Sequence, residues 1–467
     1  MSVLLYSNQH LSLVLLLTIT IMKSILILGA GLSASSLIRY LLKNAASENW
    51  HLRIVDQDRD LVLKKIGDSP YATALSFNAL VSEERMPEIE KADLVISMLP
   101  ARFHVEVAKD CLKLKKHLIT PSYVSSEMKS LHEEAKKEKL IFLNEIGVDP
   151  GIDHMSAMKI IHEVQASNGT ISSFKSFCGG LIAPDSDNNP WGYKITWNPK
   201  NVVLAGQGGL SSFKRNKEFK YIPYHQLFRR IDKINIEGYG DFEGYPNRDS
   251  LSYQSVYGLN DIETIYRGTL RRPTYCEAWD VFVQLGMTDH VLPLTHSENL
   301  SPRTFLNAFL AYHPTKTVEE KFKDFLGSHR IHLFGHFEFL GFFDAKPMNG
   351  PAGATAAELL ELIITEKWRL APQDKDMLVM HHQFEYTKDQ QKYRIESSMV
   401  SIGEDPVYTA MSNTVGLPVA IASKMILKGM INEYGVLLPV NKAIYQPILE
   451  ELEALGIVFN DKHYEIQ

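Results

Sequence analysis

The stretch Ser24-Ile25-Leu26-Ile27-Leu28-Gly29-Ala30-Gly31-Leu32-Ser33-Ala34 joins an unbroken apolar run to a glycine turn, and a helical pattern, Ser35–Asn44, starts directly behind it. In such a strand–turn–helix unit the first glycine permits the tight turn and the second lets a pyrophosphate approach the backbone. The small Ala34 allows helix and strand to pack closely, and the helix N-terminus favours the anion. The turn alone is a weak signal. It is strengthened by Asp56, which ends the next apolar run, His51–Val55, about 20 residues on, where an acid bonds the adenosine ribose 2′-hydroxyl. A carboxylate there would meet the extra phosphate of NADP. The position therefore predicts NAD, with NADP left open because Arg53 and Arg59 stand nearby.

Working outward, short apolar runs alternate with helical ones as far as Leu143. Strands are expected at Ser24–Leu28, His51–Val55, Asp93–Ser97, His117–Thr120 and Leu140–Leu143, and helices at Ser35–Asn44, Arg102–Leu114 and Glu127–Glu138. Alternating units of this length predict an α/β fold with a doubly wound parallel sheet of the Rossmann type over residues 22–150. After Gly151 the texture changes. Phe174–Ile182, Ile234–Tyr239 and Ile265–Leu270 read as strands joined by long loops, which predicts a second, α+β domain over 151–404. Ser301–Leu326 reads as two short helices, a small insert near 298–330. Met377–Tyr386 and Lys392–Val400 flank a polar turn and predict a hairpin. Tyr408–Asn432 has helical spacing with Pro418 inside it, so two helices or one kinked helix are expected.

The chain has 467 residues, of which 45% are hydrophobic and 22% charged, so two or three soluble domains are expected. Its net charge of -6 argues against a nucleic-acid binder, which would carry a basic stripe. Three cysteines, Cys111, Cys178 and Cys276, are far apart and form no C-x-x-C pattern, which fits a reducing, cytoplasmic setting. The apolar run Leu11–Met22 falls short of the ~20 residues that span a bilayer. No Lys or Arg precedes it, as a secretory signal would require. Residues 1–21 are read as a loose extension, and no membrane partner is expected.

A second stretch, Asn144-Glu145-Ile146-Gly147-Val148-Asp149-Pro150-Gly151-Ile152-Asp153-His154, sits between the apolar run Leu140–Leu143 and an amphipathic run Met155–Val164. It places acids at the mouth between a strand and a helix, where open α/β sheets bind ligands. Ser97-Met98-Leu99-Pro100 and Thr120-Pro121-Ser122-Tyr123 end neighbouring strands and would border the nicotinamide half of a dinucleotide. Arginines cluster at Arg248 and at Arg267, Arg271 and Arg272, beside Gly, Asn and Pro. Guanidinium forks suit a substrate with several carboxylates, although solvated or salt-bridged arginines are the plainer reading of such loops. Among 17 histidines, His332 and His336 are four apart with Gly335 between them, and His381 and His382 would point to opposite faces of a strand. No metal site is expected. No Gly-x-Ser-x-Gly elbow supports a nucleophilic serine.

Taken together, Gly29–Leu32, Thr120–Tyr123, Asn144–His154, Ser176–Leu181, Tyr245–Ser250, Arg267–Arg271 and Thr414–Pro418 resemble the saccharopine dehydrogenase family, in order and from about Lys23 to near the end. The resemblance implies a Rossmann domain, a substrate-binding and dimerisation domain, a small helical domain, and a C-terminal segment, about 405–467, returning to the first domain. It implies a homodimer acting on a small amino-acid substrate: saccharopine is interconverted with L-glutamate and 2-aminoadipate 6-semialdehyde by hydride transfer to or from nicotinamide. Substrate contacts then fall to Ser122, Tyr123, Asp149, Arg248, Thr269, Leu270 and Arg271. Cofactor contacts fall to Gly29, Gly31, Leu32, Ser33, Ala34, Asp56, Leu99, Pro121 and Val148. Tyr123 is the candidate proton donor, and Asp149 the candidate partner of the secondary amine or iminium. Two positions depart from the family pattern: Pro121 stands where Ser or Ala is expected, and Asp56 is an acid where fungal members use NADP. A carboxynorspermidine synthase-like amine dehydrogenase and a non-enzymatic NAD-binding regulator remain as alternatives.

Overall fold

The computed structural model describes residues 22–466, and the expected loose extension 1–21 lies outside them. Up to Leu143 the chain lays down β1 (Lys23–Leu28), β2 (Trp50–Val55), β3 (Ala72–Leu75), β4 (Leu94–Ser97), β5 (His117–Ile119) and β6 (Ile141–Leu143). Between them run helices α1 (Ser35–Glu48), α2 (Arg59–Ile66), α3 (Ser82–Glu90) and α4 (His104–Lys113). The second unit supplies β7 (Thr170–Ile182), β8 (Ser211–Arg215), β9 (Glu218–Ile222), β10 (Asp232–Ile236), β11 (Gly240–Pro246), β12 (Thr264–Arg271), β13 (Asp376–Lys388) and β14 (Gln391–Ile402). Two strands come late, β15 (Gly435–Leu437) and β16 (Phe459–Ile466).

The first sheet has seven strands in the order β15-β6-β5-β4-β1-β2-β3. Every pairing in it is parallel. Helices cover both faces, so β1 can be apolar throughout. Ile25 and Ile27 enter one core, and Leu26 and Leu28 enter the other. The order reverses between β1 and β4, which opens a crevice at the strand C-termini. Sequence patterning missed β3, α2 and α3: only Ala74 of β3 is buried, and α3 is strongly acidic with Pro87 inside it. The single helix expected at Glu127–Glu138 is two short ones, Ser126–Ser130 and His132–Lys137.

The second sheet has nine strands, with β10-β11-β12-β7-β13-β14-β16 in line and β8 and β9 attached beside β12. It is mixed: β12 runs parallel to β7, and β13 runs antiparallel to it. The expected hairpin forms, its tip at Asp389 and Gln390 in left-handed backbone. The helical insert is larger than 298–330. Helices Tyr275–Leu285, Pro302–Phe309, Val318–Arg330, Phe334–Phe339 and Ala356–Lys367 enclose an aromatic core that includes Trp191, Trp279, Phe282 and Trp368.

One helix, Ala410–Leu427, continues through Pro418 and packs on α1. Gly416 permits the approach, because a Cβ there would lie 2.7 Å from the Leu37 nitrogen. Ser412 Oγ accepts the Ser36 N–H at 2.9 Å, so this helix braces the start of α1 behind the glycine turn. β15 then completes the first sheet. The return of 405–467 to that sheet is only partial, a correction to the expectation: β16 pairs with β14 of the second sheet instead. The free edge of β14 offers backbone hydrogen bonds that a last strand can satisfy.

Candidate active site

The crevice between β1 and β4 carries the dinucleotide signals. Gly29 has φ +100°, and a Cβ on it would meet the Met98 carbonyl at 3.1 Å. Gly31 faces open space, and Leu32 beside it is half exposed. The short 3₁₀ turn Leu32–Ala34 leads into α1. Among the described residues no partner takes the N–H groups of Gly31, Leu32 and Ser33. These donors at a helix start fit a pyrophosphate. Asp56 ends β2, where one carboxylate oxygen accepts the Ala30 N–H at 2.8 Å and the other the Asp58 N–H at 3.1 Å. The acid is thus fixed beside the turn. Lys65 of α2 donates to Gly31 O (2.8 Å) and Ser35 Oγ (2.5 Å). Burial pushes its ammonium down to about 8, with the Asp56 charge opposing. Arg53 is engaged by Glu88, whereas Arg59 is exposed. Leu99 and Pro121 are half-buried after β4 and β5, and Val148 is buried after β6. All three are on the strand ends across the switch point from Asp56. The residues present fit a nicotinamide dinucleotide: the strand ends of β1 and β2 would hold its adenosine half, and those of β4 to β6 its nicotinamide half.

At that second end lies a buried polar cluster. The Tyr123 hydroxyl donates to Asp149 Oδ1 at 2.7 Å. Arg267 Nη2, from β12, reaches Asp149 Oδ1 (2.6 Å), Asp153 Oδ2 (2.7 Å) and the Tyr123 oxygen (3.1 Å). Two carboxylates and a phenol therefore share one guanidinium. Burial raises the Asp149 carboxyl above its ordinary range, against the pull of Arg267. Burial acts on Asp153 as well, but His154, Arg267 and the Gly151 N–H together hold it below the usual range. Asp153 sits in the first turn of the helix Ile152–Ala166, where its Oδ1 accepts the N–H groups of Gly151 and His154. Burial pushes the Tyr123 phenol well up, with Arg267 opposing.

A further layer fixes this cluster. His154 Nε2 lies 2.7 Å from Glu145 Oε2, and its Nδ1 2.6 Å from the Tyr257 hydroxyl. Glu145, in left-handed backbone at φ +54°, also accepts the Val124 N–H at 2.9 Å. Tyr253 stacks on His154 and lies under Arg267, whose guanidinium carbon is 4.3 Å from its ring centroid. On the other flank, Ser122 Oγ is 2.8 Å from His104 Nε2. Cys178, on β7, is close enough to Asp149 and Asp153 for their charges to add to burial in raising its thiol.

The arginines divide by strand alternation. Arg267, Thr269 and Arg271 share one face of β12, whereas Leu270 points to the other face, among Phe177, Leu181 and Tyr266. The side chain of Leu270, one of the expected substrate contacts, is apolar core. Arg272 is also turned that way, over the Phe242 ring with its Nη1 on Tyr239 O. Arg271 is buried between the rings of Tyr193, Tyr245 and Tyr275. Its Nη1 donates to Leu270 O, its Nε has no partner, and no carboxylate pairs with it among the described residues. Arg248 is exposed at φ +46°, 6.0 Å above the Tyr123 ring, with no ion pair among the described residues. Thr269 is half-buried. Sequence reasoning missed Arg267 and Asp153 as site residues, although both lie inside stretches it singled out. The usable signal was a second acid in the first turn of a helix. His104, Tyr253 and Tyr257 carried no local signal, and Glu145 only its place in the stretch Asn144–His154. Among the described residues, no three His, Cys, Asp or Glu side chains gather as metal ligands.

Family models account for nearly all of the described chain. The one described as saccharopine dehydrogenase NADP binding domain matches residues 25–143, and the one described as saccharopine dehydrogenase C-terminal domain matches residues 147–457. The chain is 34% identical over 456 residues to the saccharopine dehydrogenase [NADP(+), L-glutamate-forming] of Schizosaccharomyces pombe, spanning 93% of this chain and 98% of that protein. It is 31% identical over 479 residues to the alpha-aminoadipic semialdehyde synthase of Arabidopsis thaliana, spanning 94% of this chain but 44% of that longer protein. The solved apo saccharopine dehydrogenase (L-Glu forming) from Saccharomyces cerevisiae superposes with a TM-score of 0.85 at 29% identity, covering 95% of this chain and 100% of that one.

Proposed function

Because the chain belongs to the saccharopine dehydrogenase family, we propose that it interconverts saccharopine with L-glutamate and 2-aminoadipate 6-semialdehyde. The observation that carries this reading is the buried Tyr123–Asp149–Arg267 cluster at the nicotinamide end of the crevice. In the oxidative direction the secondary ammonium of saccharopine must first lose a proton, so that its lone pair can expel hydride from the adjoining carbon. Asp149, raised by burial and steadied by Arg267, is the acceptor for that proton. Bound nicotinamide supplies the hydride acceptor. Water then adds to the imine carbon, and the C–N bond breaks to give the aldehyde and the amine of glutamate. Tyr123, hydrogen-bonded to Asp149, can hand a proton to the departing nitrogen and recover it through the carboxylate. Arg267 keeps two carboxylates side by side without repulsion, so Asp149 stays oriented toward the ligand. Saccharopine carries three carboxylates, and the unpaired guanidiniums of Arg248 and Arg271 suit two of them.

The preferred dinucleotide is NAD(H). The support is local: Asp56 is held at the end of β2 against the glycine turn, where a 2′-phosphate would meet its carboxylate. The Schizosaccharomyces pombe relative is named as an NADP(+) enzyme and the matching family model as an NADP binding domain, so Asp56 sets this chain apart from both. One assay tests both statements: oxidation of NADH and of NADPH by purified protein with the semialdehyde plus glutamate. Turnover with a diamine but not with glutamate would sink the saccharopine reading, and a higher kcat/KM for NADPH would sink the cofactor reading.

A further inference from the structure

We propose that Ser97, His104 and Ser122 form a proton-ordered chain that presents the Ser122 hydroxyl as a donor to a substrate carboxylate, and so favours glutamate over a diamine. This rests on the saccharopine reading above. Ser97 ends β4 and is fully buried, His104 opens α4 and is 3% exposed, and Ser122 lies half-buried in the loop after β5, next to Tyr123. Each ring nitrogen of His104 meets one hydroxyl: Nδ1 is 2.8 Å from Ser97 Oγ, and Nε2 is 2.8 Å from Ser122 Oγ. Burial lowers this imidazole to about 4, and no neighbouring charge contributes, so the ring is neutral near pH 7. A neutral imidazole has one donor and one acceptor nitrogen.

The direction of the chain follows from Ser97. Among the described residues its Oγ has one hydrogen-bond partner, His104 Nδ1. If Nδ1 carried the ring proton, the Ser97 hydroxyl proton would be buried without an acceptor, which costs the desolvation of an unpaired donor. The Ser97 proton therefore goes to Nδ1, the ring proton sits on Nε2, and Nε2–H donates to Ser122 Oγ. That leaves the proton of the half-buried Ser122 hydroxyl without a protein acceptor among the described residues, in the loop that also carries Tyr123. A carboxylate is an acceptor only, and matches. An ammonium is a donor only: it could use just the one lone pair left on Ser122 Oγ, and the free hydroxyl proton would gain no partner from it. His104 and Ser97 are thus positioning residues acting through Ser122.

The test is a tautomer measurement joined to kinetics. In ¹⁵N-histidine-labelled protein near pH 7, with His104 assigned by its loss in His104→Gln, Nδ1 should resonate as a bare nitrogen and Nε2 as a protonated one. A protonated Nδ1, or a doubly protonated ring, overturns the proposal. Ser97→Ala frees the ring to swap tautomers, and should raise the glutamate KM by about tenfold, the loss of one hydrogen bond to a charged group. The dinucleotide Kd should hold. An unchanged glutamate KM, or a weakened dinucleotide Kd instead, also overturns it. Absence of turnover in the wild type would defeat the saccharopine reading, while the tautomer result would still decide the direction of the chain.

Discussion

Arg267→Met removes the guanidinium that Asp149, Asp153 and Tyr123 share. In the native protein its Nη2 makes contacts of 2.6, 2.7 and 3.1 Å, and the residue is 4% exposed, so water does little to screen them. Deleting one member of a buried ion pair costs about 3–5 kcal/mol, because the remaining charge stays buried. Met retains much of the stem that packs over Tyr253, so most of the loss would be electrostatic. The pH dependence has a definite sign. Asp153 is held below its ordinary range, so its contribution is present above the unfolded value and fades as pH falls. Without Arg267 both carboxyls move up and take protons in the folded state as pH falls from neutral. A protonated pair no longer needs the cation. The deficit should therefore be full at about pH 7.5 and clearly smaller at about pH 5. Urea unfolding of both proteins at the two pH values measures it. A deficit below about 1 kcal/mol, the size of an exposed ion pair, would refute this reasoning. So would an equal deficit at both pH values.

Further outcomes follow from the same geometry. Asp56→Ser should narrow the gap between NADH and NADPH, since like-charge juxtaposition with a 2′-phosphate costs several kcal/mol; the ratio of kcat/KM values reads it. Arg248→Lys keeps the charge but loses the planar fork, and because Arg248 is exposed it should lower kcat/KM for saccharopine by only about twofold to fivefold, the worth of an exposed ion pair. Dinucleotide affinity by fluorescence titration should stay unchanged, and parallel losses would instead mark Arg248 as structural. Gly416→Val places side-chain atoms against the Leu37 nitrogen, where even a Cβ would be at 2.7 Å. Overpacking there should cost about 1–3 kcal/mol and weaken dinucleotide binding, because the helix Ala410–Leu427 braces the start of α1; a wild-type Tm would contradict it.

The first sheet was readable because its signals are local. A buried parallel strand must be apolar on both faces, and a pyrophosphate turn must have glycines, so β1, β4 and the Gly29–Ala34 turn declare themselves within a dozen residues. Asp149, Tyr123 and Ser122 were legible in the same way, as polar residues at strand ends. Where local signal was thin, the reading failed: β3 buries one residue of four, and α3 holds a proline.

The sequence by itself thus determined the dinucleotide fold, the strand ends that form the crevice, and the supply of arginines beyond it. Only the tertiary structure decided which arginine does what. Arg267 and Arg271 lie on the same face of β12, four residues apart, and nothing local distinguishes them. The parallel register of β12 on β7, with Arg267 beside Ser176 and Thr269 beside Cys178, brings Arg267 to the helix that begins at Ile152. The same register carries Arg271 on, about 13 Å along the strand, into the tyrosine cage. Likewise His104 meets Ser97 and Ser122 only because β4 and β5 are neighbours in the sheet. Long-range register is set by the packing of whole sheets, and no short stretch of sequence contains it.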